Sequence, residues 1–167
     1  SDVCSSDLLV DFRERIQVQG DMISKADTTR LGNRLLSMDF GVCPTMFDYC
    51  LAMALLYFKE QQCDVVILET GLGGTYDSTN ACGVPDVTVI AKIGFDHMAI
   101  LGDTLAKIAA EKAGIIKRGT ALVLESQEKE AMDVLNKAAE RADIKTTKVV
   151  NLDEIRILPQ KEDRKSV

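Results

Sequence analysis

Histidine is almost absent: His97 is the only one in 167 residues. A Cys/His zinc site needs several ligands at metal spacing, and a Ser-His-Asp triad would rest wholly on that one imidazole, so neither is expected. No C-x-x-C pair occurs among the five cysteines, Cys4, Cys43, Cys50, Cys63 and Cys82. Their odd number and largely apolar surroundings predict buried free thiols in a reducing cytosol. Long hydrophobic runs are missing too. The longest, residues 51–58, falls far short of the roughly 20 residues of a membrane span. Basic excess is also lacking: 20 Lys and Arg stand against 26 Asp and Glu, a net charge of -6. That balance disfavours partners recognised by phosphate neutralisation, so neither nucleic acid nor an anionic membrane is expected. No signal or transit pattern opens the chain, and the expected compartment is the cytoplasm.

What is present has the composition of a soluble globular domain, 46% hydrophobic and 28% charged. Residues 1–8 show no hydrophobic period and are set aside as a foreign or disordered start. Alternation over residues 15–19 before Gly20 suits a short strand and turn. Ser24 is placed to cap a helix reaching about residue 38. After the break at residues 41–44, Thr45 opens a helix over about 47–61 that is apolar nearly all round and therefore predicted to be buried.

Residues 64–69 (DVVILE) and 86–91 (DVTVIA) are runs without alternation, the pattern of strands buried on both faces of a parallel sheet. Residues 121–124 give a third strand. Helices are predicted over about 104–116 and 129–142. Strand and helix alternate, so the fold class is α/β, with a mostly parallel sheet flanked by helices. The body runs over residues 9–150, and residues 151–167 form a partial or frayed tail.

Ligands of open α/β sheets collect beyond the carboxyl ends of the strands. Three segments fall at or soon after such ends: Glu69-Thr70-Gly71-Leu72-Gly73-Gly74-Thr75-Tyr76-Asp77-Ser78-Thr79-Asn80, then Gly94-Phe95-Asp96-His97, then Glu111-Lys112-Ala113-Gly114-Ile115-Ile116-Lys117. They offer a carboxylate, an imidazole and a lysine expected to converge on one edge, with glycines that admit close approach of a ligand. Taken singly, each has a plainer reading. Glu69 suits a solvated strand end, Gly71, Gly73 and Gly74 a tight turn, His97 a structural role, and Lys112 and Lys117 the charges of a helix C-terminus. A dinucleotide fingerprint needs a third glycine running into a helix, and Tyr76 stands in its place.

Together, in this order and spacing, the segments resemble the folylpolyglutamate synthase/dihydrofolate synthase family of the Mur ligases. The resemblance rests on E-T-G-L-G-G-x-x-D-x-T-N, G-x-D-H and L-G-D-T-L-x-K-I-A-x-E-K-A-G-I-I-K, a long compound signature. Residues 12–16 and Thr45-Met46-Phe47-Asp48 also look like earlier motifs of that family. It departs at Thr75, where relatives often have Arg, and at Asp48, where they often have Glu. The resemblance implies a P-loop NTPase-like Mur ligase central domain, truncated at both ends. No G-x-x-G-K-[ST] loop is present, and the length leaves no room for the family's separate C-terminal domain.

The implied reaction is ATP-dependent addition of L-glutamate to folate, or to dihydropteroate, through an acyl phosphate, in a parent that is a monomer. By that resemblance Glu69 and His97 are magnesium ligands, and Lys112 is a lysine that becomes carbamylated. Gly71, Gly73, Gly74 and Asn80 lie against ATP. Thr45, Phe47 and Asp77 line the pterin pocket, Phe47 by stacking and Asp77 by accepting ring N–H bonds. The 167-residue chain alone is expected to be inactive. The alternatives are another Mur-type amino-acid ligase or a non-catalytic remnant domain.

Overall fold

A computed structural model describes residues 2–4 and 10–151. The rest of the expected start and of the expected tail lies outside them. The chain divides into two compact units, Ser1–Val84 with Glu111–Ile115, and Pro85–Ala110 with Ile116–Val167.

The first unit holds four strands, β1 (Asp2–Cys4), β2 (Ile16–Val18), β3 (Asp21–Met22) and β4 (Val66–Leu68). Their order is β3-β2-β1-β4, antiparallel except for the parallel pair β1–β4, in which Val3 faces Ile67. Asp2–Cys4, within the segment set aside as a foreign or disordered start, therefore pair on both sides. Between β2 and β3, Gln19 and Gly20 both carry positive φ, as a primed hairpin turn requires.

Helix α1 (Lys25–Leu36) starts where predicted: the Ser24 hydroxyl accepts the Asp27 amide at 3.0 Å. Helix α2 (Met46–Glu60) is capped by Thr45. Its buried residues Cys50, Met53, Ala54, Tyr57 and Phe58 recur at helical spacing and meet Leu31 and Leu35 of α1 over Ile16 and Ile23. Fully burying a side chain such as Leu31 stabilises by about 1.5–3 kcal/mol. Two corrections follow from this packing. Residues 64–69 form only a short strand, with Val66 and Ile67 exposed, because β4 is a sheet edge and only Leu68 reaches the core. Among the described cysteines only Cys50 is buried. Cys43 lies exposed in the break before α2, Cys82 is exposed after the 3₁₀ turn Ser78–Ala81, and Cys63 is half-buried.

The second unit holds β5 (Val87–Ile90), β6 (Ala121–Glu125) and β7 (Thr146–Val150) in a parallel sheet of that order. Thr88 pairs with Leu122 and Ile90 with Leu124, so these buried residues share one face. Val87 and Val89 point the other way and are exposed, so the expectation of burial on both faces is corrected to one. Strand β7 was not anticipated: Thr146-Thr147-Lys148 carries little apolar signal. The further α-helices among the described residues are α3 (Met98–Leu101), α4 (Leu105–Ala113) and α5 (Lys129–Ala142), and a 3₁₀ turn, Phe12–Arg15, precedes β2. The span of α5 agrees with its prediction, whereas α4 stops before Gly114. No helix among the described residues is long and apolar enough to cross a membrane.

Candidate active site

Within the first unit the functional candidates gather around the loop that follows β4. Glu69, exposed, closes that strand. The Asp77 carboxylate folds the loop on itself: Oδ2 accepts the Leu72 amide at 2.9 Å, and Oδ1 accepts the amide and hydroxyl of Thr79. Asn80 Nδ2 donates to the carbonyls of Thr75 and Gly114, and the Thr75 amide and hydroxyl donate to the Glu111 carbonyl at 3.0 and 3.2 Å. The glycine loop is thereby sewn to the turn that ends α4, the turn that carries Lys112. Lys112 is half-buried, and its side chain has no ion pair or hydrogen bond among the described residues.

Gly74 shows how close this seat is. A Cβ there would stand 2.6 Å from the Glu111 carbonyl oxygen and 3.0 Å from that of Lys112. These are backbone atoms and cannot swing aside. Gly74→Ala is expected to destabilise the chain by about 1–3 kcal/mol, read by chemical denaturation. An unchanged midpoint would show that the loop can shift freely. Gly73 is buried with a φ of 68°, a value that favours glycine. Gly71 faces the Phe47 ring: a Cβ there would lie 2.9 Å from Cζ. Among the described residues the amides of Gly71, Gly73 and Gly74 have no acceptor.

Helix α2 brings Thr45 and Phe47 to the same loop. The Thr45 amide and hydroxyl both donate to Asp48 Oδ2, at 2.7 and 2.8 Å, and the Thr45 hydroxyl accepts the Asp48 amide at 3.2 Å. Asp48 Oδ1 accepts the Ser78 hydroxyl at 2.5 Å. The hydrogen bond from Ser78, followed by those from the Thr45 amide and hydroxyl, holds the Asp48 carboxyl below its ordinary value of 3.8.

In the second unit His97 precedes α3 with φ 48° and ψ 35°. A left-handed backbone costs a non-glycine residue on the order of 1–2 kcal/mol. Its carbonyl accepts the Ile100 and Leu101 amides, its own amide donates to Asp96 Oδ1 at 2.7 Å, and Nε2 lies 3.6 Å from Asp96 Oδ2. The chain leading to it is held by side chains at and just after the end of β6. Gln127 bonds the Ala91 carbonyl and the Ile93 amide, and Glu125 accepts the Lys92 amide. Gln127 and Glu125 went unpredicted, and only their position at the carboxyl end of β6 could have flagged them. Glu69 and Lys112 thus belong to the first unit and His97 to the second. Among the described residues no group of three or more His, Cys, Asp or Glu side chains could hold a metal ion by themselves.

The family described as Mur ligase middle domain matches residues 28–162. The "Dihydrofolate synthase/folylpolyglutamate synthase" of Bacillus subtilis is 45% identical over 145 residues, 82% of this chain and 33% of that protein. Of the solved structures, an "FPGS-AMPPCP complex" superposes with a TM-score of 0.79 at 30% identity, covering 90% of this chain and 38% of the other. E. coli FolC "in complex with DHPP and ADP" gives 0.78 at 33% identity, covering 87% and 35%. The chain spans about a third of the length of the relatives it matches.

Proposed function

The chain belongs to the Mur ligase middle-domain family, and on that premise we propose that it is the central part of an ATP-dependent ligase joining L-glutamate to folate, to dihydropteroate or to both. The observation that carries this reading is the glycine loop bound to the Lys112 turn, in a chain 45% identical to a dihydrofolate synthase/folylpolyglutamate synthase. In the reaction the pteridine substrate's carboxylate attacks the γ-phosphorus of ATP, forming an acyl phosphate and ADP. The glutamate amine then attacks the acyl carbon, phosphate leaves, and the amine gives up a proton.

Both steps crowd negative charge, which Mg²⁺ neutralises when bound. Mg²⁺ keeps several waters and phosphate oxygens and asks for few protein ligands; the exposed Glu69 carboxylate of the first unit and the exposed His97 imidazole of the second are each a donor type it accepts. The amides of Gly71, Gly73 and Gly74, without an acceptor among the described residues, suit phosphate oxygens, with Asn80 holding the loop in shape. Thr45 and Phe47 take the pterin ring together with Asp77, whose carboxylate keeps accepting capacity beyond the three bonds it makes within its loop. Lys112 would, as a carbamate, supply an anion to the site. The setting is the cytoplasm, with a monomeric protein and small-molecule partners only.

The test is glutamate incorporation by the full-length protein. Ligation that requires ATP, Mg²⁺ and a pteridine substrate together supports the reading, and no dependence on the pteridine overturns it. The 167-residue chain alone should give none, since it carries no G-x-x-G-K-[ST] loop. Ligation by that chain alone would show that the machinery proposed to lie outside it is dispensable.

A further inference from the structure

The Asp48 carboxylate uses its two oxygens for two different purposes. Oδ2 closes the cap of α2 on the Thr45 amide and hydroxyl, and Oδ1 takes the Ser78 hydroxyl from the loop thirty residues on. Thr45 and Phe47 stand on the α2 side of this bridge, and Asp77 is the immediate neighbour of Ser78 on the other. The bridge is the only side-chain hydrogen bond among the described residues that joins the start of α2 to residues 77–80. Capping α2 does not by itself require it, because Oδ2 alone completes the capping box.

We propose that Asp48 and Ser78 are positioning residues, a latch that sets the separation between Thr45/Phe47 and Asp77 and so tunes affinity for the pteridine substrate. The inference rests on the reading of the site given above and deepens it. Two further contacts agree. The Phe47 ring lies against Gly71 of the same loop, and Asp77 itself binds the Leu72 amide, so a shift of the Ser78 segment is passed to both pterin-facing groups. The carboxylate is held ionised by these same bonds, which keeps it an acceptor on both oxygens throughout the neutral range. The identity of the residue matters as well. Glu at position 48 would keep an acceptor for the α2 cap, but its extra methylene would carry the second oxygen out of register with Ser78.

The experiment is a double-mutant cycle of Ser78→Ala and Asp48→Asn in the full-length enzyme, with Asp48→Glu as the cap-preserving variant. Ser78→Ala should raise KM for the pteridine substrate about tenfold, with kcat and the KM for ATP moving less than about twofold, because a hydrogen bond to an ionised group is lost away from the phosphates. The double variant should be no worse than the poorer single one, the mark of a shared contact. Asp48→Glu should show the same KM split with its thermal stability kept. Amide exchange over residues 70–81 is followed on the same samples and should quicken in Ser78→Ala without quickening further in the double variant. Should the wild-type enzyme turn over no pteridine, the ligase reading fails, and the exchange pattern alone then decides whether the latch exists. Multiplicative KM effects, an equal loss across all substrates, or unchanged exchange would overturn the latch.

Discussion

Lys112→Arg in the full-length ligase is expected to abolish glutamate ligation, lowering turnover on the order of a hundredfold or more, although the substitution preserves positive charge. The reason is the sign of the charge that the proposed carbamate supplies. A neutral Lys112 amine that takes up CO₂ forms an N–C bond, releases a proton and becomes a carbamate anion. A guanidinium cannot make that change. The setting suits a modified lysine: the side chain is half-buried, it has no ion-pair partner among the described residues, and its backbone is fixed against Gly74. Lys112→Ala should be equally inactive, with partial recovery in added acetate, which can occupy the vacated anion position. Mass spectrometry of the protein at saturating bicarbonate provides the paired measurement. An unmodified Lys112 together with an active arginine variant would remove the carbamate role.

The second large effect is expected at His97, where activity and stability should part company. The imidazole sits on a left-handed backbone at the head of α3, with no side-chain cap bond to repay the strain. Asparagine adopts that conformation more readily. His97→Asn should therefore leave the unfolding midpoint unchanged or slightly raised, while turnover at limiting Mg²⁺ falls by about a hundredfold, as the role proposed for the imidazole as a metal ligand requires. Near-normal turnover would make the histidine structural. A collapse of stability would mean that the His97 side chain holds the turn after all.

Much of the architecture was legible wherever a local rule acts alone. Ser24 and Thr45 announce α1 and α2 because a hydroxyl at the first turn has one good use, whereas apolarity nearly all round α2 announces burial without saying which face packs, and Leu55 stays exposed. The β-branched runs at 64–69 and 86–91 announce strands but not how deeply they lie. Burial depends on what covers each face, and Val66, Val87 and Val89 are uncovered among the described residues. Strand β7 escaped notice because Thr146-Thr147-Lys148 pairs through its backbone with β6, and backbone pairing leaves no mark on side-chain pattern. At the candidate site, the residues proposed to carry chemistry stood out through a compound motif. The residues that arrange them did not. Ser78 reaching Asp48, and Gln127 reaching Ala91 and Ile93, are partnerships across thirty or more positions that only the folded chain brings together.

The first unit is discontinuous, and that has a consequence for how the protein is made. The loop at residues 71–80 is anchored to carbonyls at Glu111 and Gly114, and every residue of the second unit from Pro85 to Ala110 is synthesised in between. At about 5–20 residues per second, a ribosome takes roughly 2–7 s to add the 36 residues separating Thr75 from Glu111. Through that interval the nascent sheet and the α1–α2 core have all their sequence, whereas the loop has no anchor. The last part of the first unit to become native is therefore the glycine loop, and a translational pause placed between codons 85 and 110 would prolong the one stage at which a folded core carries an unseated loop.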